Sequence, residues 1–149
     1  MDCRIAVRGD LPGLLSLYAQ LNPEKEPLET EKALAIWDET ERAGISRHFV
    51  AADGDRIVSS CTVSVIPNLT RGGQPYAVIE NVVTDAEQRR KGIGRLVVGE
   101  AIAFAREKNC FKVMLLSGCG RTGAHRFYES LGFSGDSKRG FELRFSVTR

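Results

Sequence analysis

Tyr76-Ala77-Val78-Ile79-Glu80-Asn81-Val82-Val83-Thr84 is followed, after Asp85-Ala86-Glu87-Gln88, by Arg89-Arg90-Lys91-Gly92-Ile93-Gly94. The first stretch reads as a strand, with Val78, Ile79, Val82 and Val83 as its β-branched positions. Glu80-Asn81 breaks simple alternation, which predicts a bulge or a polar site on the strand. From Ile93, apolar residues recur at Leu96, Val97, Ala101, Phe104 and Ala105, the spacing of one helix face. A strand therefore leads through a short basic loop into a helix. A helix N-terminus carries unpaired N–H groups and a partial positive charge, which together bind phosphate. Gly92 and Gly94 let that backbone approach a ligand, and Arg89, Arg90 and Lys91 add charge beside it. A bare G-x-G is a weak signal, since a solvated basic loop can also precede a glycine-started helix. Its context here, between strand and helix and beside three consecutive cations, points to a diphosphate cradle.

Two other phosphate-binding plans fit worse. A P-loop needs Gly-Lys-Ser/Thr, and Gly94 is followed by Arg95-Leu96. The dinucleotide fingerprint needs a third glycine where Val97 stands, in the first strand–helix unit of a parallel sheet.

Working outward, Cys3–Val7 is a short apolar run. Asp10 is the expected N-cap of a helix carrying Leu14, Leu15, Leu17, Tyr18 and Leu21, which Asn22-Pro23 ends. A second helix is expected from about Glu29 to Ala43, with Leu34, Ile36 and Trp37 apolar and Gly44 as its stop. His48–Ala52 and Arg56–Ile66 flank the turn signal Asp53-Gly54-Asp55 and form a hairpin. Downstream, Phe111–Leu116 is expected as a buried strand, Arg121–Leu131 as a short helix ended by Gly132, and Phe141–Val147 as a last strand. The order, with three consecutive strands before the basic loop, excludes a simple doubly wound plan. It predicts a mixed α/β or α+β sheet with helices on its faces.

With 149 residues the chain has the usual length of one domain. Its 21 basic and 19 acidic residues leave a net charge of +2, so any anion site must be local, and no basic face beyond Arg89–Lys91 suggests nucleic acid. No apolar run approaches the roughly 18 residues that span a bilayer, and Met1-Asp2-Cys3-Arg4 does not open a signal peptide. A cytoplasmic protein with no membrane partner and with reduced Cys3, Cys61, Cys110 and Cys119 is expected. Two histidines and scattered cysteines give no metal-ligand spacing, so no metal is expected. Cys119 with His125 has no evident orienting third group for thiol catalysis.

Arg89-x-x-Gly92-x-Gly94 resembles the Q/R-x-x-G-x-G/A signature of the GNAT superfamily of acyl-CoA-dependent N-acyltransferases. Ile79-Glu80-Asn81-Val82-Val83 is similar to that family's fourth strand and Lys112-Val113-Met114-Leu115-Leu116 to its fifth. Phe127-Tyr128-Glu129-Ser130-Leu131-Gly132-Phe133 matches its F-Y-E-x-L-G-F run. More narrowly, the chain looks like small single-domain members, glucosamine-phosphate N-acetyltransferases among them. The resemblance implies an α+β fold: a mixed, mostly antiparallel sheet of six to seven strands, about four helices, and splayed fourth and fifth strands. It implies one N-acetyltransferase domain over residues 1–149 and acetyl-CoA as co-substrate.

What it implies for individual residues is specific. The pyrophosphate would lie on Arg89, Arg90, Lys91, Gly92, Ile93 and Gly94, with Arg95 beside them, and the pantetheine arm beside Val82 and Val83. Arg121 stands where the family often has a cofactor-contacting Asn, and a phosphate contact would suit it. His125 is a further cofactor-groove candidate, and equally a surface residue. Tyr128 matches the family's general acid. An alkylammonium must lose a proton, ordinarily near pH 10, before it attacks a thioester. Glu80, a carboxylate set in an apolar strand, is the candidate base, directly or through water. The acceptor read this way is a small-molecule primary amine. A protein or peptide amine, and a non-catalytic acyl-CoA-binding module, are the alternatives. A homodimer is compatible with the family, and no stretch of sequence marks an interface.

Overall fold

The computed structural model describes residues 1–146. They divide into two compact units, the first ending at Leu115 and the second starting at Leu116. The first unit holds β1 (Asp2–Ile5), α1 (Leu11–Tyr18), α2 (Thr30–Ala43), β2 (Ser46–Asp53), β3 (Arg56–Ile66), β4 (Tyr76–Thr84), α3 (Ile93–Glu107) and β5 (Val113–Met114). The second holds α4 (Thr122–Ser130).

One sheet of order β1-β2-β3-β4-β5 organises the first unit. Its first three pairings are antiparallel, and β4–β5 is parallel. This is the mixed α+β sheet expected, with five strands among the described residues rather than six or seven. Residues 141–146 take no regular structure, and Val147 lies outside the described residues. The physical reason is the lack of a ladder: among the described residues no backbone–backbone hydrogen bond reaches 138–146. The fifth strand is also shorter than Phe111–Leu116, pairing only Ala77 with Val113 and Val78 with Met114. It lies at the sheet edge, and Met114 and Leu116 are exposed rather than buried. Beyond Val78, β4 runs on to Thr84 with no β5 residue opposite.

Helices cover both faces of the sheet. Leu14, Leu17, Ala33 and Trp37 from α1 and α2 pack with Val50, Ala52, Ile57 and Val83. On the other face Phe49 meets Phe104 of α3 edge-on at 5.5 Å, and the Cys61 thiol points to the Val97 carbonyl. Strands covered on both faces read as continuous buried runs, as Phe49–Ala52 and Ile57–Cys61 do. Ile36 and Leu96, expected inside, stand on the outer sides of their helices. Gly44 ends α2 in the left-handed region, φ 68°. Asp10 occupies the N-cap position of α1 but does not cap it. Its carboxylate instead accepts from the Val7 N–H at 2.7 Å and the Arg4 guanidinium at 2.6 and 3.0 Å, which holds it below the usual carboxylate range. Among the described residues no helix is long and apolar enough to cross a membrane.

The loop after β4 is tied down by the buried Asp85. Its carboxylate accepts from the Gln20 amide at 3.0 Å, the Glu87 N–H at 3.0 Å and Arg56 at 2.8 Å. Gln20 also accepts from the Ala86 N–H at 3.1 Å. The end of α1 and the β2–β3 hairpin therefore set where the basic loop begins.

Leu14 is 1% exposed. Leu14→Ala is expected to lower unfolding stability by about 2–5 kcal/mol in denaturant titrations, the cost of a cavity in a close-packed core. The Gln20 amide, foremost, and the Glu87 N–H and Arg56 hold the Asp85 carboxyl below its ordinary value of 3.8. Its stabilising effect is therefore full above that pH and lost as the pH falls through the lower folded value. Asp85→Ala should lower Tm at neutral pH and flatten the acid-side decline in thermal melts. Equal acid slopes in the two proteins would refute the assignment.

Candidate active site

The break at Glu80-Asn81 is a β-bulge. Thr62 faces Glu80 and Ser60 faces Val83, so Cys61 alone stands opposite both Asn81 and Val82. Asn81 takes φ 54°, a left-handed value that asparagine tolerates better than most residues. The extra residue leaves Asn81 and Val82 without register partners on β3, while no β5 residue stands opposite them. Glu80 is exposed, Val82 half-buried and Val83 buried. The apolar setting expected around Glu80 is therefore not found: the bulge turns this part of the strand to solvent.

Directly opposed antiparallel residues share a sheet face. Glu80 therefore lies on the α1–α2 side with Thr62, Ser60 and Val83. Tyr18 of α1 brings its phenol to the same place. Burial pushes this phenol up, while the Ser60 and Thr62 hydroxyls act the other way. None of the three buried hydroxyls makes a hydrogen bond of good geometry among the described residues. Such hydroxyls can rotate toward one another at little cost. Sequence reasoning missed this cluster, taking Tyr18 only as an apolar helix position. The available signal was Ser59-Ser60-Cys61-Thr62, a polar run inside a buried strand. His48, opposite Thr62, stacks on Trp37 at 5.3 Å, and burial lowers its pKa.

The basic loop has the backbone of an anion site. Arg90 and Gly92 take φ 66° and 79°, and successive N–H groups around such left-handed residues form a concave nest. The first bond into α3 runs from the Leu96 N–H to the Gly92 carbonyl at 3.2 Å. Among the described residues no backbone–backbone hydrogen bond of good geometry is donated by the N–H groups of residues 89–94. An added Cβ at Gly92 would meet nothing within 4 Å, so its positive φ, not close packing, requires glycine. Arg89 Nε donates to the Thr84 carbonyl and Lys91 Nζ to Gln88, both at 3.1 Å, so these side chains brace the loop. Arg90 is exposed beside them. Donors left out of backbone pairing, a helix terminus and cations in one place suit a diphosphate.

Arg121, His125 and Tyr128 belong to the second unit. Arg121 is the N-cap residue of α4, without a side-chain cap bond. His125 Nε2 donates to the Gly118 carbonyl at 2.7 Å, which anchors the turn before α4. Tyr128 sits edge-on to Phe127 and Phe133, with centroids 5.2 and 6.0 Å away. The matched F-Y-E-x-L-G-F run thus builds an aromatic cluster around the helix end.

Comparison with known proteins bears on the family and the fold. The profile of the "Acetyltransferase (GNAT) family" matches residues 12–133. A glucosamine 6-phosphate N-acetyltransferase of Trypanosoma brucei brucei is 34% identical over 134 residues, covering 89% of this chain and 88% of that protein. The solved structure of a putative acetyltransferase from Agrobacterium tumefaciens str. C58 superposes with a TM-score of 0.93 at 45% identity, covering 97% of this chain and 100% of that one. The structure of a transcriptional regulator from Bacillus halodurans C-125 gives a TM-score of 0.87 at 32% identity, covering 97% and 99%. The fold and the family inferred from the basic loop and the F-Y-E-x-L-G-F run are thereby shown: the chain belongs to the GNAT acetyltransferase family and is an N-acetyltransferase.

Proposed function

We propose that residues 1–149 form one catalytic domain that moves an acetyl group from acetyl-CoA to the primary amine of a small molecule. The observation that carries this is the row of donors left out of backbone pairing at residues 89–94, opening the helix that follows the bulged strand. The trypanosomal relative makes an amino-sugar phosphate such as glucosamine 6-phosphate the leading acceptor. The four cysteines are free, which supports a reducing, cytoplasmic setting. The working form is proposed to be a homodimer.

Acetyl-CoA, when bound, supplies an activated thioester. Arg89–Gly94 hold its diphosphate, with Arg95, Arg121 and His125 as further contacts, and Val82 and Val83 flank its arm. Glu80 takes the proton from the acceptor ammonium, and its exposure lets a water mediate. The Val82 N–H, in the bulge, donates to the oxygen on which charge builds during transfer. Tyr128 returns a proton to the departing thiolate.

Acetyl-CoA at about 100 times Kd should stabilise the protein by about 2.7 kcal/mol, seen as a higher Tm. No shift at saturating cofactor would remove the cradle assignment. Glu80→Gln and Tyr128→Phe should each cut turnover by about 10²–10⁴-fold, measured by thiol release with an accepted amine from a panel that includes glucosamine 6-phosphate. Both variants should keep the acetyl-CoA-induced Tm shift. Unchanged turnover in either variant would reject that residue's role.

A further inference from the structure

The Tyr18, Ser60 and Thr62 hydroxyls lie out of water and without a partner of good geometry among the described residues. Tyr18 closes α1 and packs on the core cluster that holds Val50 and Val83. Ser60 and Thr62 stand two apart on β3 and so share that side of the sheet. The phenol is near enough to both for their hydroxyls to act on its titration. Burial outweighs them and pushes its pKa up, so it keeps its proton at neutral pH. Native folds seldom leave three buried hydroxyls unpaired in one place.

Counting protons gives the cluster a direction. Each hydroxyl has one proton to donate and room to accept. The phenol touches both of the others, so two O–H···O bonds join the three and use two protons. The phenol has no other hydrogen-bond partner among the described residues, so the third proton leaves from one end of the chain. Ser60 stands between Val50 of β2 and Val83 of β4, whose side chains accept nothing. Thr62 stands between His48 and Glu80. The His48 ring is turned to Trp37, on which it stacks. An ionised carboxylate only accepts, and bonds to it are among the strong ones. Directly opposed residues have Cβ atoms about 4.5–5.5 Å apart, a gap that a glutamate arm spans.

We propose that Ser60, Tyr18 and Thr62 form a directed chain, Ser60 donating to Tyr18, Tyr18 to Thr62, and Thr62 to the Glu80 carboxylate. The three are positioning residues. They hold ionised Glu80 on the α1–α2 side of β4, turned to receive the proton of the acceptor ammonium. The chain rests on Glu80 as the base proposed above and adds what orients it.

The test reads turnover by thiol release beside the acetyl-CoA-induced Tm shift. Thr62→Val keeps the side chain's shape and removes its hydroxyl. It should lower kcat by about 10-fold, the loss of one hydrogen bond to a charged group, and keep the Tm shift. Thr62→Ser should restore most of the loss. Tyr18→Phe should lower kcat likewise, and joining it to Thr62→Val should cost little more, since the chain is already cut. A double-mutant cycle decides. In a Glu80→Gln background Thr62→Val should change turnover by less than about 2-fold, because it acts through that carboxylate. Tyr18→Phe carried through the same cycle gives the same reading from α1. Full turnover in Thr62→Val, with Glu80→Gln impaired, would overturn the chain and leave the base in place. An equal loss from Thr62→Val with and without the Glu80 carboxylate would do the same, since a structural role behaves that way. Unchanged turnover in Glu80→Gln would overturn both.

Discussion

Between Glu80 and Val83 the fourth strand takes two residues to pass Cys61 alone, and the rest of the site depends on that mismatch. A regular ladder would hold every β4 backbone group against β3 or β5 and leave nothing for a ligand. The bulge takes Asn81 and Val82 out of register, and β5 pairs with the strand's far edge only at Ala77 and Val78. A strand with one open edge can pair with an extended ligand as it would with another strand. Asn81 makes the bulge affordable because it tolerates a left-handed backbone better than a β-branched residue would.

The bulge would have no fixed relation to the cradle without the contacts that hold the connecting loop. Asp85 supplies them, since its carboxylate gathers donors from the turn after α1, from β3 and from its own loop. Arg89 and Lys91 spend their side chains on the same loop, so in the proposed diphosphate site backbone N–H groups would provide most of the geometry. Charge brings the ligand near, and geometry decides where it sits. Rigid backbone donors need little reorganisation when the ligand arrives, which is why such a site can work with few free cations.

Much of this was legible residue by residue. The helical spacing after Gly92, the hairpin about Asp53-Gly54-Asp55 and the interruption at Glu80-Asn81 each follow from local physics that a sequence displays directly. Asp10 shows where that legibility stops. Its residue type suits a cap, but Arg4, brought close by the fold, offers a charged partner at 2.6 Å and the carboxylate turns to it. Leu96 and Ile36 fit the helical periodicity yet face outward, because the width of a buried stripe depends on what packs against it. The Tyr18, Ser60 and Thr62 hydroxyls come from a helix and a strand far apart in the chain, so no spacing announces them.

The sequence by itself determined the class of fold, the strand–loop–helix order around Gly92 and the family, because these rest on short-range patterns: period, turn chemistry, and glycine where φ must be positive. Tertiary structure alone decided that Glu80 meets solvent, that β5 pairs over only two residues, and that Asp85 pins the cradle loop. It also decided that residues 141–146, which have a strand's pattern, take no regular structure. Those outcomes depend on which distant groups compete for the same hydrogen bonds and the same apolar surface, and only the folded chain sets that competition.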